Sequence, residues 1–456
     1  MFKKVLEKIF KAPALALDEG IKVSEEFKNQ MVNNKPFKKA EEYWKTLGPG
    51  FTTGAADDDP SGIATYSQAG AQYGFQLLWL APITFPFMAV VQEMCARIGL
   101  VTGEGLAGNI KRHYAAWVLY FSALLLFAAN AFNIGADLGA MAKASQLLYP
   151  QTNFVLLIIA FAVISLFLQI FTTYARYAKY LKYLALVLFS YVLSALVINL
   201  NWHEALAHTF VPSITFSKNQ LFLICAILGT TISPYLFFWQ TSQEVEEEIL
   251  KGKITLEERQ VITTKHEIKA MRTDVWSGMF ISNLVMFFII VASAATLYAE
   301  GITNINTAEE AALALRPIAG EFTFLLFTIG IIGTGLLTIP ILAGSASYAL
   351  SESFGWDTGL HLKLRQAHAF YGVIIVSMLV GLGMNFVGID PIKALIYSAV
   401  VNGLVAPIVL VLIVRISSNK QIMGEHANGP ITSSMGWVIT GLMTLAGVAA
   451  IASFFF

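Results

Sequence analysis

The sequence predicts an all-α polytopic membrane protein, and three observations carry that prediction. The first is composition: of 456 residues, 56% are hydrophobic and only 13% charged, against about 25% charged in an ordinary soluble domain. The second is where the charges lie. Residues 1–47 and 244–274 together hold 31 of the 60 acidic and basic side chains, leaving 29 for the other 378 positions, too few to wet a soluble surface. The third is that apolar runs of about 20 residues, the length of a spanning helix, recur along the chain. The 30 bases balance the 30 acids, which argues against a nucleic-acid partner recruited by bulk positive charge. Two cysteines, Cys95 and Cys225, sit inside apolar runs, so neither a disulfide framework nor a cysteine zinc site is expected.

In chain order, residues 1–47 read as a solvated cytoplasmic tail. The spacing of apolar residues in Met1–Lys11 also allows an interfacial helix, but no signal peptide is present. A transmembrane domain over 48–456 follows. Its spans fall near 48–65, 76–99, 115–147, 153–173, 179–200, 219–240, 275–299, 320–350, 367–386, 391–415 and 434–455. The third and eighth are long enough to tilt or to extend beyond the lipid. With the N-terminus inside, 26 of the 30 Lys and Arg residues fall on the cytoplasmic side, and only Lys143, Lys218, Arg316 and Lys393 lie outside. That asymmetry follows the positive-inside rule and puts the C-terminus outside.

Two spans are interrupted in matching ways. The first contains Asp59-Pro60-Ser61-Gly62 and the sixth Ser233-Pro234. Proline lacks an amide donor and pushes the residue before it out of helix, so each span should split into two half-helices. Counted from the breaks, the chain divides into two sets of five spans, about 48–200 and 219–415, with an extra helix over 434–455. An odd number of helices per set makes the second copy inverted. Broken helices at corresponding positions of inverted repeats mark the substrate site of a secondary transporter; two ordinary proline kinks would leave the acids beside the first break unexplained.

Those acids are Asp57, Asp58 and Asp59, in mid-span. Each charge at a helix centre costs about 2.5–3.5 kcal/mol on insertion scales, and no Lys or Arg lies within the first six spans except near an end. A metal ion or a wetted cavity is the expected partner. Asp59 is at the break itself and is the leading ligand. Unwinding frees carbonyls at the negative ends of both first half-helices, so the Ala56 and Thr230 carbonyls are expected co-ligands, with the hydroxyls of Ser233 and Thr231 nearby. Such an oxygen set suits hard cations such as Mg²⁺ and Mn²⁺.

Other intramembrane polar groups have two readings each. Asp137 in the third span either carries protons along a path or makes a structural hydrogen bond to a neighbouring helix. Glu93 reads as an i,i+4 ion pair with Arg97. Asn130, Asn133 and Asn402 read as polar glue between helices. Gln240 either faces the cavity or caps the sixth helix. The acidic run Glu244–Glu248 reads as a solvated helix end. His266-Glu267 lacks the second histidine of a zinc-protease motif, and Gly103–Gly108 follows a membrane helix rather than a strand, so neither is read as functional. No nucleophile–base constellation appears, and no enzyme or cofactor is expected.

Several segments together resemble the Nramp family of divalent-metal transporters: GPGF and then DPSG at 59–62, QAGAQYGFQLLW at 68–79, CARIGLVTGEGLA at 95–107, GTTISP at 229–234, GTGLLTIPILAGSAS at 333–347 and IMGEHANGP at 422–430. The resemblance runs from Gly48 to about Gly441. It implies a LeuT-like 5+5 inverted repeat plus an eleventh helix, with alternating access around a site between spans 1 and 6. The family's DPGN motif falls on Asp59, Pro60, Ser61 and Gly62, so its aspartate ligand is kept and its asparagine ligand is glycine. Its Met-Pro-His falls on Ser233, Pro234 and Tyr235, which replaces a thioether by a hydroxyl; its backbone-carbonyl ligand falls on Thr230 and its second histidine on Gln240. The acidic proton-path residues of its third span fall on Asn130, Asp137 and Ala140.

These departures resemble the Nramp-related magnesium-transporter branch. Loss of sulfur removes a preference for transition metals, and Gly62 with Ser233 is expected to leave room for a partly hydrated ion. The implied function is an importer of Mg²⁺, and of Mn²⁺ besides, not coupled to protons, working as a monomer in membrane lipid, in the bacterial inner membrane. Asp57 and Asp58 are expected to gather cations in the vestibule. The alternatives are a proton-coupled Mn²⁺/Fe²⁺ transporter relayed through Asp137, and a Na⁺-coupled organic-solute carrier of the same fold.

Overall fold

Pro60 and Pro234 each open a helix at its first turn, where the missing amide costs nothing, and each follows a helix that has just ended. The computed structural model describes residues 47–172, 189–197, 200–260, 263–316 and 320–452. The tail expected over 1–47 lies outside them but for its last residue, as does most of the fifth span. All elements below belong to the unit Pro49–Phe456.

The first span is two half-helices, α1 (Pro49–Asp57) and α2 (Pro60–Tyr73), followed by α3 (Leu80–Thr102) and a short α4 (Leu106–His113). Then come α5 (Ala116–Leu148), α6 (Phe154–Phe171) and α7 (Phe189–Val197), the described part of the fifth span, with α8 (Trp202–Phe210) before the second set. That set opens with the broken pair α9 (Lys218–Thr231) and α10 (Pro234–Leu250), and a single turn, α11 (Leu256–Arg259), leads into α12 (Lys265–Ser293), which runs on as a π segment to Tyr298. A short α13 (Ala308–Ala312) precedes α14 (Thr323–Phe354), α15 (His368–Met384) and α16 (Pro391–Ser418); the turn α17 (Lys420–Met423) leads to α18 (Pro430–Ala452). The eleven expected spans are thus matched, the fifth in part. Among the described residues eight helices are long and apolar enough to cross a membrane, counting α9 with α10, and α15 is a shorter apolar helix.

Helix starts follow their caps. Asn153 accepts from the Val155 and Leu156 amides, Asp390 from Ile392 and Lys393, and Thr264 with Glu267 forms a reciprocal capping box. Leu156, Val163 and Phe167 on α6, and Ile431, Leu445 and Val448 on α18, are exposed, so these helices present apolar faces outward.

α5 packs along α14, α15 and α16, while α1 packs on α12 and α9 on α16. The α1–α12 contact is made backbone to backbone: a Cβ built on Gly54 would lie 2.3 Å from the Gly278 carbonyl oxygen. Asp274 of α12 also caps α1 from outside its own chain segment, accepting from Gly50 N at 2.7 Å and Phe51 N at 3.1 Å. The free amides of a helix start attract a carboxylate in this way, and here they fix one half of the broken span to the second repeat.

The acidic run on α10 corrects its reading as a solvated helix end. Glu244, Glu246 and Glu248 are buried. Glu246 accepts from the Tyr348 hydroxyl at 2.6 Å and the Leu360 amide at 2.7 Å, with His361 Nδ1 at 2.8 Å. Glu248 pairs with Lys251 at 2.9 Å and with Lys253. The Glu93–Arg97 pair is present at 3.5 Å and is wider than expected, because Arg272 and the Trp276 indole also reach Glu93, both at 2.8 Å.

Candidate metal site at the two helix breaks

Asp59 is the N-cap of α2. Its Oδ1 accepts from the Gly62 amide and the Ser61 hydroxyl, both at 2.6 Å, which is what an aspartate before a proline-started helix is placed to do. Thr230 of α9 brings its hydroxyl to 3.5 Å from the same oxygen and 3.4 Å from Ser61 Oγ. On the other oxygen, Oδ2, Asn133 of α5 donates its amide at 2.9 Å. Asp59 is 1% exposed, so the carboxylate lies in the interior at the point where α1, α2, α5 and α9 meet.

The two breaks are tied to each other. Tyr235, next to Pro234, donates its hydroxyl to the Ala56 carbonyl at 2.8 Å, and Tyr66 of α2 pairs with Thr231 of α9 at 3.1 Å. Ser233, the N-cap of α10, turns back on the preceding half-helix α9, donating to the carbonyls of Gly229 at 2.7 Å and Thr230 at 2.8 Å. The expected ligands Asp59, Thr230, Ser233 and Ala56 therefore share one junction, with Thr231 in the adjoining layer. The Ala56 and Thr230 carbonyls each keep a second lone pair, and both stand near the negative ends of their helices.

Asn133 is the residue the sequence reading missed. Its amide does tie two helices, α5 to Asp59 at the start of α2, as polar glue would, and beyond that its Oδ1, fully buried, has no partner among the described residues. An amide oxygen turned loose beside a carboxylate is a further oxygen donor for a cation. Asn130, by contrast, does bridge helices, donating to the Leu342 carbonyl at 2.9 Å and to Ser345 Oγ at 2.7 Å. Neither amide atom of Asn402 has a partner among the described residues. The capping role of Asp59 and Ser61 had a legible signal, Asp-Pro-Ser at a helix start; Asn133 had none.

Three expectations are corrected. Gly62 does not open the site in this state, because a Cβ there would lie 3.2 Å from Thr230 Oγ1 and 3.3 Å from both the Asp57 carbonyl oxygen and Tyr66 Cε2. Asp57 and Asp58 do not line a vestibule; they are 0% and 1% exposed. Gln240 does not cap its helix, since its amide donates to Glu244 at 2.8 Å on the next turn of α10, and its Oε1 is buried with no partner among the described residues. Asp137 is fully buried with both oxygens unpartnered among the described residues, so the structural hydrogen bond weighed for it is not made. Among those residues no three His, Cys, Asp or Glu side chains converge as a metal cluster, and the junction relies on one carboxylate with neutral oxygens.

The family model for Nramp, the natural resistance-associated macrophage protein-like proteins, matches residues 50–453. The chain belongs to the Nramp family. It is a membrane transporter and not an enzyme. Curated relatives include the divalent metal cation transporter MntH of Caldanaerobacter subterraneus subsp. tengcongensis, 25% identical over 409 residues, covering 88% of this chain and 91% of that one. The MntH protein of Chromohalobacter salexigens is 26% identical over 419 residues, with coverage of 90% and 91%. Among solved structures, a manganese transporter from Eremococcus coleocola superposes with a TM-score of 0.71 at 18% identity, covering 92% of this chain and 88% of its own. Mhp1, a nucleobase-cation-symport-1 transporter, does so at 0.51 and 16% identity, covering 89% and 91%. These likenesses establish the LeuT-like fold of this Nramp chain.

Proposed function

We propose that the chain is a divalent-metal transporter of the Nramp type that carries Mn²⁺, alternating access around the junction of the two helix breaks. The observation that carries the reading is Asp59. It is a buried carboxylate at the meeting point of both breaks, with the unpartnered Asn133 oxygen and the Ala56 and Thr230 carbonyls around it. Transport of divalent metals, and of manganese in one case, by the proteins named above supports the choice of cargo. Asp59 anchors the ion, and Asn133 takes the place of the amide that Gly62 lacks. Asp137, buried on the same helix as Asn133, is the group available to carry a coupled proton. The chain works in the bacterial plasma membrane as a monomer, N-terminus inside.

A second reading is favoured by the donor set, which offers oxygen only: no thioether or imidazole contacts Asp59 among the described residues. Such a set takes Mg²⁺ as readily as Mn²⁺, and in that reading the ion moves down its own gradient without protons. Proteoliposome uptake with an internal pH dye separates the two. Mn²⁺ uptake that acidifies the lumen supports the first reading; Mg²⁺ uptake at constant lumenal pH supports the second. A folded Asp59→Ala protein that transports both ions at the wild-type rate would overturn either.

A further inference from the structure

The junction does not account for Asp57 and Asp58. Asp57 Oδ2 accepts from Ser282 of α12 at 2.7 Å, but its Oδ1 and both oxygens of Asp58 have no hydrogen-bond partner among the described residues. Ser282 also lies close to Asp58. Both acids are buried, and no basic side chain is among the groups that act on them.

The hydroxyls nearby do not supply the missing donors. Thr231 commits its proton to the Ile227 carbonyl at 2.6 Å, so in its 3.1 Å contact with Tyr66 the phenol is the donor. The Tyr66 hydrogen is then used, and its oxygen, which acts electrostatically on Asp57 and Asp58, can only accept. Tyr235 likewise spends its hydrogen on the Ala56 carbonyl. The end of α1 is thus surrounded by acceptors, and it is also the negative end of that half-helix. Burial of unpaired acceptors and charges costs several kcal/mol unless a proton or a cation is supplied.

We infer that Asp57, Asp58 and Ser282 form a second divalent-cation site, on the α12 side of the first break, separate from the Asp59 junction on the α5 side. The site takes the cargo ion itself, and the inference rests on the metal-transport reading. Because α1 packs on α12, the second ion is held between the two repeats, and it leaves only when that packing opens.

Equilibrium dialysis of the purified full-length protein against Mn²⁺ tests this, read together with Mn²⁺ electron paramagnetic resonance. The wild type is expected to bind two ions whose spectra are broadened by mutual dipolar coupling, since their anchoring residues are adjacent in the chain. Asp58→Asn and Asp59→Ala are each expected to bind one ion with an uncoupled six-line spectrum. Ser282→Ala, which keeps both acids and is the milder change, should weaken the second ion by about tenfold or more, as loss of a ligand's hydrogen-bond partner does. A wild-type stoichiometry of one, unchanged in Asp58→Asn, overturns the second site while leaving the Asp59 junction intact. Filling of the second position by Na⁺ in place of Mn²⁺, seen as Na⁺-dependent quenching of the coupled spectrum, overturns it as well. Two ions retained in Asp59→Ala would instead overturn the junction.

Discussion

Replacing Asn133 by leucine is the sharpest test of the junction. Leucine keeps the volume of the side chain on α5 and removes only its amide, which donates to Asp59 Oδ2 at 2.9 Å and carries the unpartnered Oδ1. A hydrogen bond to a charged group contributes about 1.5–3 kcal/mol. At 1.4 kcal/mol per tenfold, that is about a 10- to 150-fold rise in the KM for Mn²⁺. Losing the ligand oxygen acts in the same direction, so the lower figure is a floor. The remaining bonds from Ser61 and Gly62 keep Asp59 on α2, and helix packing should survive. The assay is Mn²⁺ uptake into proteoliposomes, with folding checked by size-exclusion chromatography. A folded Asn133→Leu protein whose KM stays within twofold of wild type would refute the reasoning and return Asn133 to the role of a spacer between helices.

Gly54→Ala should destabilise the folded protein by about 1–3 kcal/mol, the usual cost of overpacking, because the new Cβ lands 2.3 Å from the Gly278 carbonyl oxygen; thermal unfolding in detergent reads this, and Gly372→Ala, which meets nothing within 4 Å, is the control. Asp274→Asn weakens the cap that holds the Gly50 and Phe51 amides, at a cost of about 1 kcal/mol, and should raise labelling of a cysteine placed at Thr53 by a membrane-impermeant thiol reagent. Mn²⁺ at a hundred times its Kd should raise stability by about 2.7 kcal/mol, an upward shift in melting temperature that a chelator reverses and Asp59→Ala reduces.

What could be read from the sequence was whatever depends on near neighbours. The half-helix boundaries at Asp57 and Pro60, and at Thr231 and Pro234, follow from proline chemistry within a few residues, and the spans follow from runs of apolar side chains. The candidate junction was legible as far as the breaks themselves reach: Asp59, Thr230, Ser233 and Ala56. Asn133 was not, because it is 74 positions from Asp59 and nothing local distinguishes it from Asn130. Glu246 looked like a solvated acid because its partners, Tyr348, Leu360 and His361, are more than 100 positions away. Asp274 sits in a charged stretch and caps a helix 224 positions upstream. Composition near a residue says how polar the stretch is, but not which distant backbone it meets. The emptiness expected at Gly62 failed similarly: a missing side chain leaves room only if Thr230 and Tyr66 do not move into it.

The helix breaks have a mechanical meaning as well as a chemical one. Between Asp57 and Pro60, and between Thr231 and Pro234, only two residues lie outside helix, so each half-helix is a stiff arm on a short pivot. α1 has 9 residues, and at 1.5 Å per residue its far end stands about 13 Å from the pivot. Swinging that arm by about 20° would carry Pro49 roughly 4–5 Å while scarcely displacing Asp59. An ion bound at Asp59 would sit at the fulcrum, where the arm can travel far without the ion losing its grip.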